Sequence, residues 1–424
     1  MGAFGFLIAC DDKLEIDPQQ SIDAGVALST EQGLQTAIIG AYERLQGGQL
    51  YGTNVNLISE LLGASGSELQ WAGTFLGYRQ LFTKNIDNDN TESTRTWIRA
   101  YDAINIVNNV LANVDNVVED EETRNRMRGE ALFIRGIVHF ELVRVFGLPW
   151  NAGDPATNLG VPLMLEPTLS VSDAANVSRA SVADVYAQVI TDLTDAKELL
   201  PPTNGTRAST YTASAFLARV YLQQGNYEGA LEEANTVIES NRFVLTPNYV
   251  DAFNNAANIP EYVFAIQQNE QSNAGTANDG LATFYANFEG IGRGDIDIIP
   301  AYVNTLYTAN DERLDVFYED EGGILRNGKY ISQTANIPII RIAEMYLIRA
   351  EASFRLNDTD QALEDINVIR VRANLAPLGS VTLEDILLER KRELVFEGFA
   401  LHDAKRLMQP VGDLPYDSRD LLLL

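Results

Sequence analysis

The sequence predicts a mainly α fold, in which antiparallel helix pairs form a rigid base for an irregular, loop-rich half with a few short strands. Three observations carry this reading. Apolar residues recur at three- and four-residue spacing through most of the chain, the signature of helices buried on one face. Two helical hairpins resemble one another at a fixed separation, Ala218 and Ala350 being equivalent positions. Three stretches, 48–90, 149–180 and 247–329, lack helical period and are rich in Gly, Asn or aromatic residues.

The elements follow in chain order. Residues 3–9 are apolar but too few to span a bilayer. They lead into Leu7-Ile8-Ala9-Cys10, which has the form of a bacterial lipobox: aliphatic residues, a small residue, then the chain's single cysteine. Residues 1–9 are therefore read as the remnant of a signal peptide, and Cys10 as the lipidation site. Residues 10–27 are polar, without period, and form the tether. From residue 28 to 424 we expect one domain. Helices are predicted over 30–45, 97–114 (Trp97, Tyr101, Ile104, Val107 and Leu111 on one face) and 128–146, which is apolar nearly all round and so centrally buried. The 181–200 helix opens on a Ser181/Asp184 capping box and stops at Pro201-Pro202.

The two hairpins come next. Ala218 to Tyr227 runs into Ala230-Leu-Glu-Glu-Ala-Asn235, and Ala350 to Asn357 runs into Ala362-Leu-Glu-Asp-Ile-Asn367. Small residues at Ala218, Ala230 and Ala234 let two helices approach closely, and Gly225 supplies the turn. This is the tetratricopeptide pattern in degenerate form, and it predicts a right-handed helical scaffold. A short strand is expected near Tyr262-Val-Phe-Ala-Ile-Gln267, and a last helix over 382–397, opened by a Thr382/Asp385 box and ended by Gly398.

Composition excludes several functions. The 424 residues carry 31 Lys+Arg against 59 Asp+Glu, a net charge of −28. Nucleic-acid binding needs clustered cations, and docking on an anionic membrane needs the same. The membrane contact expected is therefore the lipid anchor alone. One cysteine and two histidines, His139 and His402, cannot build a Cys/His zinc site. No cofactor is implied. Asp87-Asn88-Asp89-Asn90 with Glu92 could hold calcium through oxygen, but it lacks the glycine and length of an EF-hand loop, and a polar turn is the preferred reading. Gly290-Ile-Gly292-Arg-Gly294 has the wrong spacing for a dinucleotide fingerprint. His139 lies in an apolar helix and reads as a core histidine. No nucleophile–base order emerges, so no catalytic residue is assigned. Glu389-Arg390-Lys391-Arg392-Glu393…Glu397, with Arg341, Glu344, Arg349 and Glu351, reads as structural ion pairing.

Binding residues are sought among the aromatics of the irregular segments. Trp97 and Trp150 sit in core and turn contexts. Trp71, Tyr78, Phe284, Tyr285 and Phe288 fall in two aperiodic stretches, where exposed rings would stack on sugar C–H faces. Asp279 and Arg293 are the polar candidates. The alternative for Trp71 is a loop-core aromatic.

Several segments together resemble the SusD/RagB family of outer-membrane nutrient-binding lipoproteins. They are Gly129-Glu-Ala-Leu-Phe-Ile-Arg135 through Gly147-Leu-Pro149, Ile337-Pro-Ile-Ile-Arg341 through Ala352, and Glu389-Arg390-Lys-Arg-Glu393 through Gly398, Asp403 and Arg406. Weaker matches include Gly160-Val-Pro-Leu and Asp311-Glu312-Arg313. Ala400 stands where many members have Arg, which weakens one ion pair. Members usually continue into a Pro-rich tail, so the Leu421–Leu424 end is expected to be a truncation, or else to pack into a groove. The resemblance implies a non-catalytic, surface-exposed lipoprotein that binds an oligosaccharide or similar nutrient over a SusC-like TonB-dependent transporter. A tetratricopeptide peptide-binding adaptor and a carbohydrate-active enzyme are the alternatives.

Overall fold

The computed structural model describes residues 28–168, 177–288 and 290–423. The helices, in chain order, are α1 (Glu31–Gln46), α2 (Asn54–Gly63), α3 (Leu76–Thr83), α4 (Thr91–Val117), α5 (Glu121–Phe146), α6 (Val182–Leu199) and α7 (Thr210–Gln224). Then come α8 (Tyr227–Glu239), α9 (Leu281–Tyr285), α10 (Pro300–Leu306), α11 (Ile342–Arg355), α12 (Thr359–Arg372), α13 (Leu383–Leu394) and α14 (Ala400–Arg406). The scaffold is a succession in which α1 packs on α4, α4 on α5, α5 on α6, and so on through α7, α8, α11 and α12. The apolar core runs through it from Leu34 to Leu423.

Local chemistry sets most boundaries. Asn90, Asp120 and Ser209 accept from backbone N–H groups at the starts of α4, α5 and α7, and Thr382 and Asp385 form the full capping box of α13. At α6 only half the expected box is present: Ser181 Oγ accepts from Asp184 N at 3.0 Å, while the Ser181 backbone belongs to a strand (Arg179–Ser181) paired with Leu159–Pro162. The α7–α8 hairpin turns on Gly225 at φ +73, and the α11–α12 hairpin turns on Asn357 at φ +69, the left-handed conformation that Gly and Asn tolerate. Ala218, Ala230, Ala234, Ala350 and Ala362 are all buried, as helix pairs in close approach require. The α13 helix stops at Leu394, earlier than expected, because the chain turns away at Phe396, which takes φ +62.

The aperiodic stretch 48–90 contains two helices that the pattern does not reveal. In α2 Leu57, Ile58, Leu61 and Leu62 do recur at helical spacing, but Asn54, Asn56, Ser59 and Glu60, which read as loop residues, are buried with them. The strands are short and two-stranded. Tyr262–Ile266 pairs with Ile337–Arg341, and Leu69–Trp71 pairs with Ile296–Ile298, both antiparallel. Cys10 and the tether lie outside the described residues. Leu421, Leu422 and Leu423 pack into the scaffold. Leu423 N donates to Val145 O at 2.8 Å, and Lys405 Nζ donates to Leu421 O at 3.0 Å. Among the described residues no helix is long and apolar enough to cross a membrane.

The expected ion pairing is present and larger than the sequence suggests. Arg341 reaches Glu261, Glu393 (2.9 Å) and Glu397 (2.8 Å), and Arg313 reaches Asp311 and Glu389, each at 2.7 Å. Lys329 joins Glu397 at 2.7 Å, Arg219 joins Glu344 at 2.6 Å, and Arg406 joins Glu351 at 2.7 Å. Burial pushes the Glu393 carboxyl up, but Arg372, Arg341 and Arg313 outweigh it and hold it at about 2. These pairs fix the relative positions of α7, α11, α13 and α14.

Candidate functional site

The aromatic residues expected to bind ligand divide into two groups. Trp71, Tyr78 and Phe284 meet in one cluster, with ring centroids 5.2 Å (Trp71–Tyr78), 5.9 Å (Trp71–Phe284) and 5.0 Å (Tyr78–Phe284) apart. All three are buried. The Leu69–Trp71 strand alternates inward and outward, and its pairing with Ile296–Ile298 turns Trp71 inward. Tyr78 Oη donates to Asn54 Oδ1 at 2.7 Å. Tyr285 points elsewhere: its ring lies 5.4 Å from that of Tyr330, and its hydroxyl donates to Asn56 Oδ1 at 3.2 Å. The expectation of exposed rings is therefore corrected for Tyr78, Phe284 and Tyr285, and Trp71 takes the alternative given for it, a loop-core aromatic. Helix α9 is buried on every side, so its aromatics have no solvent face.

A second group is more exposed and meets that cluster through Phe75. Phe288 lies on a two-residue-stranded hairpin, Asn287–Phe288 against Ile291–Gly292, and is 42% exposed. Its ring stacks on Tyr318 at 4.6 Å with the planes 12° apart. Tyr318 is held by Asn287 N, which donates to its oxygen at 3.0 Å, and Asn287 Nδ2 donates to Asp320 Oδ2 at 2.7 Å. Arg293 follows the hairpin directly. Its guanidinium lies 4.8 Å over the Phe75 ring and donates from Nη2 to Thr74 Oγ1 at 2.9 Å. Phe75 in turn packs edge-on against Phe284 at 5.8 Å, which joins the exposed group to the buried one. Arg79 is exposed beside it, donating from Nη2 to Gly73 O at 2.9 Å.

Phe288 and Tyr318 thus form a flat aromatic pair, and the Phe288 hairpin leads into Arg293, whose guanidinium caps the Phe75 ring. The pair can stack on an apolar ring face and bind polar substituents at its rim. Asp279 is drawn away from it. Its carboxylate pairs with Arg95, its backbone carbonyl accepts from Thr53 Oγ1, and burial pushes the carboxyl up against the opposing pull of Arg95. Sequence reasoning missed Tyr318 and Arg79. Tyr318 belongs to a hairpin, Phe317–Glu319 against Leu325–Asn327, whose aromatic-rich first strand was the available signal.

A separate cleft of about 400 Å³ lies between α2, Tyr302 and the α13–α14 region, with Leu388, Lys391, Phe396 and Phe399 among its lining residues. Glu60 lines it too, buried and accepting from the backbone N–H of Gly398 at 2.8 Å and Phe399 at 3.1 Å. Burial pushes its carboxyl up, and these backbone donors only partly offset that, leaving it at about 7. Asn90 and Glu92, in the loop considered for calcium, are engaged locally. Asn90 Oδ1 caps α4, and Glu92 accepts from Asn54 Nδ2 at 3.1 Å. Among the described residues no group of three or more His, Cys, Asp or Glu is placed to hold a metal. His139 is buried, with Nδ1 3.1 Å from Arg135 O, and burial, aided by the Arg135 charge, pushes it down to about 4.

Two family models match the chain in tandem. One, described as starch-binding associating with outer membrane, covers residues 13–222. The other, the SusD family, covers residues 322–419. The chain belongs to the SusD/RagB family. Several relatives match over nearly its whole length. A SusD-like protein of Formosa agariphila is 28% identical over 95% of this chain and 88% of that protein. A crystal structure described as a putative sugar binding protein from Bacteroides vulgatus superposes with a TM-score of 0.81 at 28% identity, covering 93% of this chain and 90% of the other. A SusD superfamily structure from Bacteroides thetaiotaomicron gives 0.82 at 26% identity, covering 92% of each chain. The tetratricopeptide-like helical base is thus the SusD architecture, and the family is one of starch- and glycan-binding proteins associated with the outer membrane.

Proposed function

We propose that this SusD-family chain is a non-catalytic, lipid-anchored protein of the outer-membrane surface that binds an oligosaccharide and passes it to a SusC-like TonB-dependent transporter. The observation that carries the binding site is the near-parallel Phe288–Tyr318 pair, its Phe288 ring exposed on the hairpin that leads into Arg293. Half-exposed aromatics in a family of glycan binders have a direct use, since a pyranose presents an apolar C–H face that a ring can cover. The reading without chemistry is supported by the carboxylates themselves. Glu393, Glu397, Glu344 and Glu351 are all tied to buried cations, where they hold helices together. Anchored by Cys10, the protein would confine bound glycan near the transporter mouth and raise its effective concentration there.

Calorimetry against a panel of oligosaccharides tests the binding. A ligand whose affinity falls on Phe288→Ala and Tyr318→Ala, with no new reducing ends on long incubation, is the expected outcome. Binding indifferent to both substitutions, or hydrolysis abolished by removing one carboxylate, would overturn the proposal. For the anchor, mass spectrometry of protein made with a complete signal sequence should find an acylated Cys10. A membrane fraction unchanged by Cys10→Ala would refute it.

A further inference from the structure

We infer that the ligand of this site is an anionic saccharide, its carboxylate or sulfate groups read by Arg79 and Arg293. The inference rests on the platform reading above and extends it to substrate class. It starts from where the cations of an acidic protein go. The chain has 31 Lys+Arg against 59 Asp+Glu. Many of its cations are drawn inside: Arg219, Arg313, Lys329, Arg341, Arg372 and Arg406 are all held against carboxylates in the scaffold. Carboxylates are buried with them, so the solvent-facing surface keeps the acidic balance of the whole chain. Exposed guanidinium groups on such a surface need a reason.

Two of them converge on one short loop. Arg79 donates to Gly73 O, and Arg293 donates to Thr74 Oγ1, each at 2.9 Å. Consecutive residues therefore hold both side chains, and the Arg293 guanidinium also lies 4.8 Å over the Phe75 ring. Among the described residues, Arg79 has no carboxylate within ion-pairing distance; its guanidinium donates to one carbonyl, which leaves most of its five donors to solvent. Arg293 has one carboxylate neighbour, Asp295 at 3.1 Å from Nε, and that group is nearly buried beneath it. The third arginine of the region is different in kind. Arg326 is buried and donates to Asp320, Asp297 and the carbonyls of Gly294 and Ile296. It ties residues 294–297 to Asp320, whereas Arg79 and Arg293 are exposed.

The geometry suits a charged sugar. An aromatic pair takes the ring face, and the guanidinium forks of Arg79 and of Arg293, the latter one residue past the Phe288 hairpin, donate to carboxylate or sulfate oxygens, the groups that arginine binds best. The net charge of −28 opposes the approach of an anion. That repulsion acts mainly beyond contact and is screened over about 8 Å at 0.15 M salt, while the two guanidinium contacts are made within that distance.

The test measures binding by calorimetry at 0.15 M salt. The probes are galacturonate oligosaccharides, the same oligosaccharides with their carboxylates methyl-esterified, and O-sulfated and unsulfated galactose oligosaccharides of matched length. One anionic series should bind roughly ten-fold or more tightly than its neutral counterpart, the scale of one charge-assisted hydrogen bond set. The better series identifies carboxylate or sulfate as the recognised group. Arg79→Gln and Arg293→Gln should each reduce that preference several-fold, with thermal midpoints unchanged. If neither anionic series outbinds its neutral partner, binding of none included, or if the preference survives both substitutions, the inference is overturned. Neutral binding that depends on Phe288 would then leave the platform reading standing. Anionic binding lost in Arg79→Gln but untouched by Phe288→Ala and Tyr318→Ala would instead remove the platform reading and keep the charge reading.

Discussion

Phe284 and Phe288 are four residues apart and chemically identical, yet the structure assigns them opposite duties. Phe284 is fully buried, with Trp71, Phe75 and Tyr78 all within 6 Å of its centroid at 5.9, 5.8 and 5.0 Å. Truncating such a ring removes its transfer energy and leaves a cavity, a loss of about 3–5 kcal/mol. Phe288 is 42% exposed, and its main partner is one ring, Tyr318. Its removal should lower stability by about 1 kcal/mol or less, the value of a single aromatic pair. Binding should respond in the reverse order. By analogy with aromatic stacking on nucleobases, loss of the Phe288 face should weaken glycan affinity by about 1–3 kcal/mol, roughly five- to 150-fold. Denaturant unfolding and calorimetry on Phe284→Ala and Phe288→Ala decide the matter together. A stable Phe288→Ala protein that binds as well as wild type would refute the platform. A Phe284→Ala protein of normal stability but lost affinity would show that the buried cluster opens to meet ligand.

Other consequences follow from the scaffold. Glu393, held at about 2 by three arginines, stabilises the fold fully above the ordinary carboxylate range and loses that contribution as pH falls through 2. Glu393→Gln should cost about 3–5 kcal/mol at pH 7, because three buried cations lose their shared anion. It should also flatten the fall in denaturant midpoint below pH ~4.5, and an unchanged pH profile would argue against the network. Gly63→Ala would put a methyl group 2.4 Å from Leu401 N, forcing α2 and α14 apart at a cost of about 1–3 kcal/mol. Gly40→Ala, in the middle of α1 with nothing within 4 Å, should instead raise stability by up to ~1 kcal/mol. Equal unfolding midpoints for the two variants would sink this contrast.

The scaffold was legible because its helices are one-sided or capped by recognisable residues. The paired hairpins at Ala218 and Ala350 stand out through small residues that only close packing explains, and Arg341, Glu393 and Glu397 stand out as charges inside an apolar pattern. The loop-rich half was legible only as a region. Trp71 and Phe288 both sit in aperiodic sequence, and nothing local separates a ring turned inward by a long-range strand pair from one left on a hairpin tip. The pairing of Leu69–Trp71 with Ile296–Ile298 joins residues more than two hundred positions apart. Burial in such segments is a tertiary property, and helical period carries no information about it. The same holds for α2, whose polar residues are buried because distant groups satisfy them.

Asn56 shows what that satisfaction does for the site. It lies in α2, yet its side chain accepts from Tyr285 Oη at 3.2 Å and donates to Tyr330 Oη at 3.2 Å and Phe396 O at 3.0 Å. It thereby fastens α9 to the scaffold two residues before the hairpin that carries Phe288. The hairpin is further tied to α9 through Arg293 N, which donates to Thr283 O at 2.7 Å, and Gly294 N, which donates to Ala286 O at 2.8 Å. Asn56→Ala leaves buried polar groups without partners, each costing about 1–3 kcal/mol. If α9 is the plinth of the platform, the loss must be local as well as global. Amide exchange at Arg293 and Gly294 should accelerate by more than the drop in global stability explains, while amides of α5 and α6 follow the global change alone. Glycan affinity should fall even under conditions where the variant is fully folded, because the ring must be ordered again on binding. Uniform acceleration across all helices, with affinity intact in the folded protein, would mean that Asn56 stabilises the domain without positioning its site.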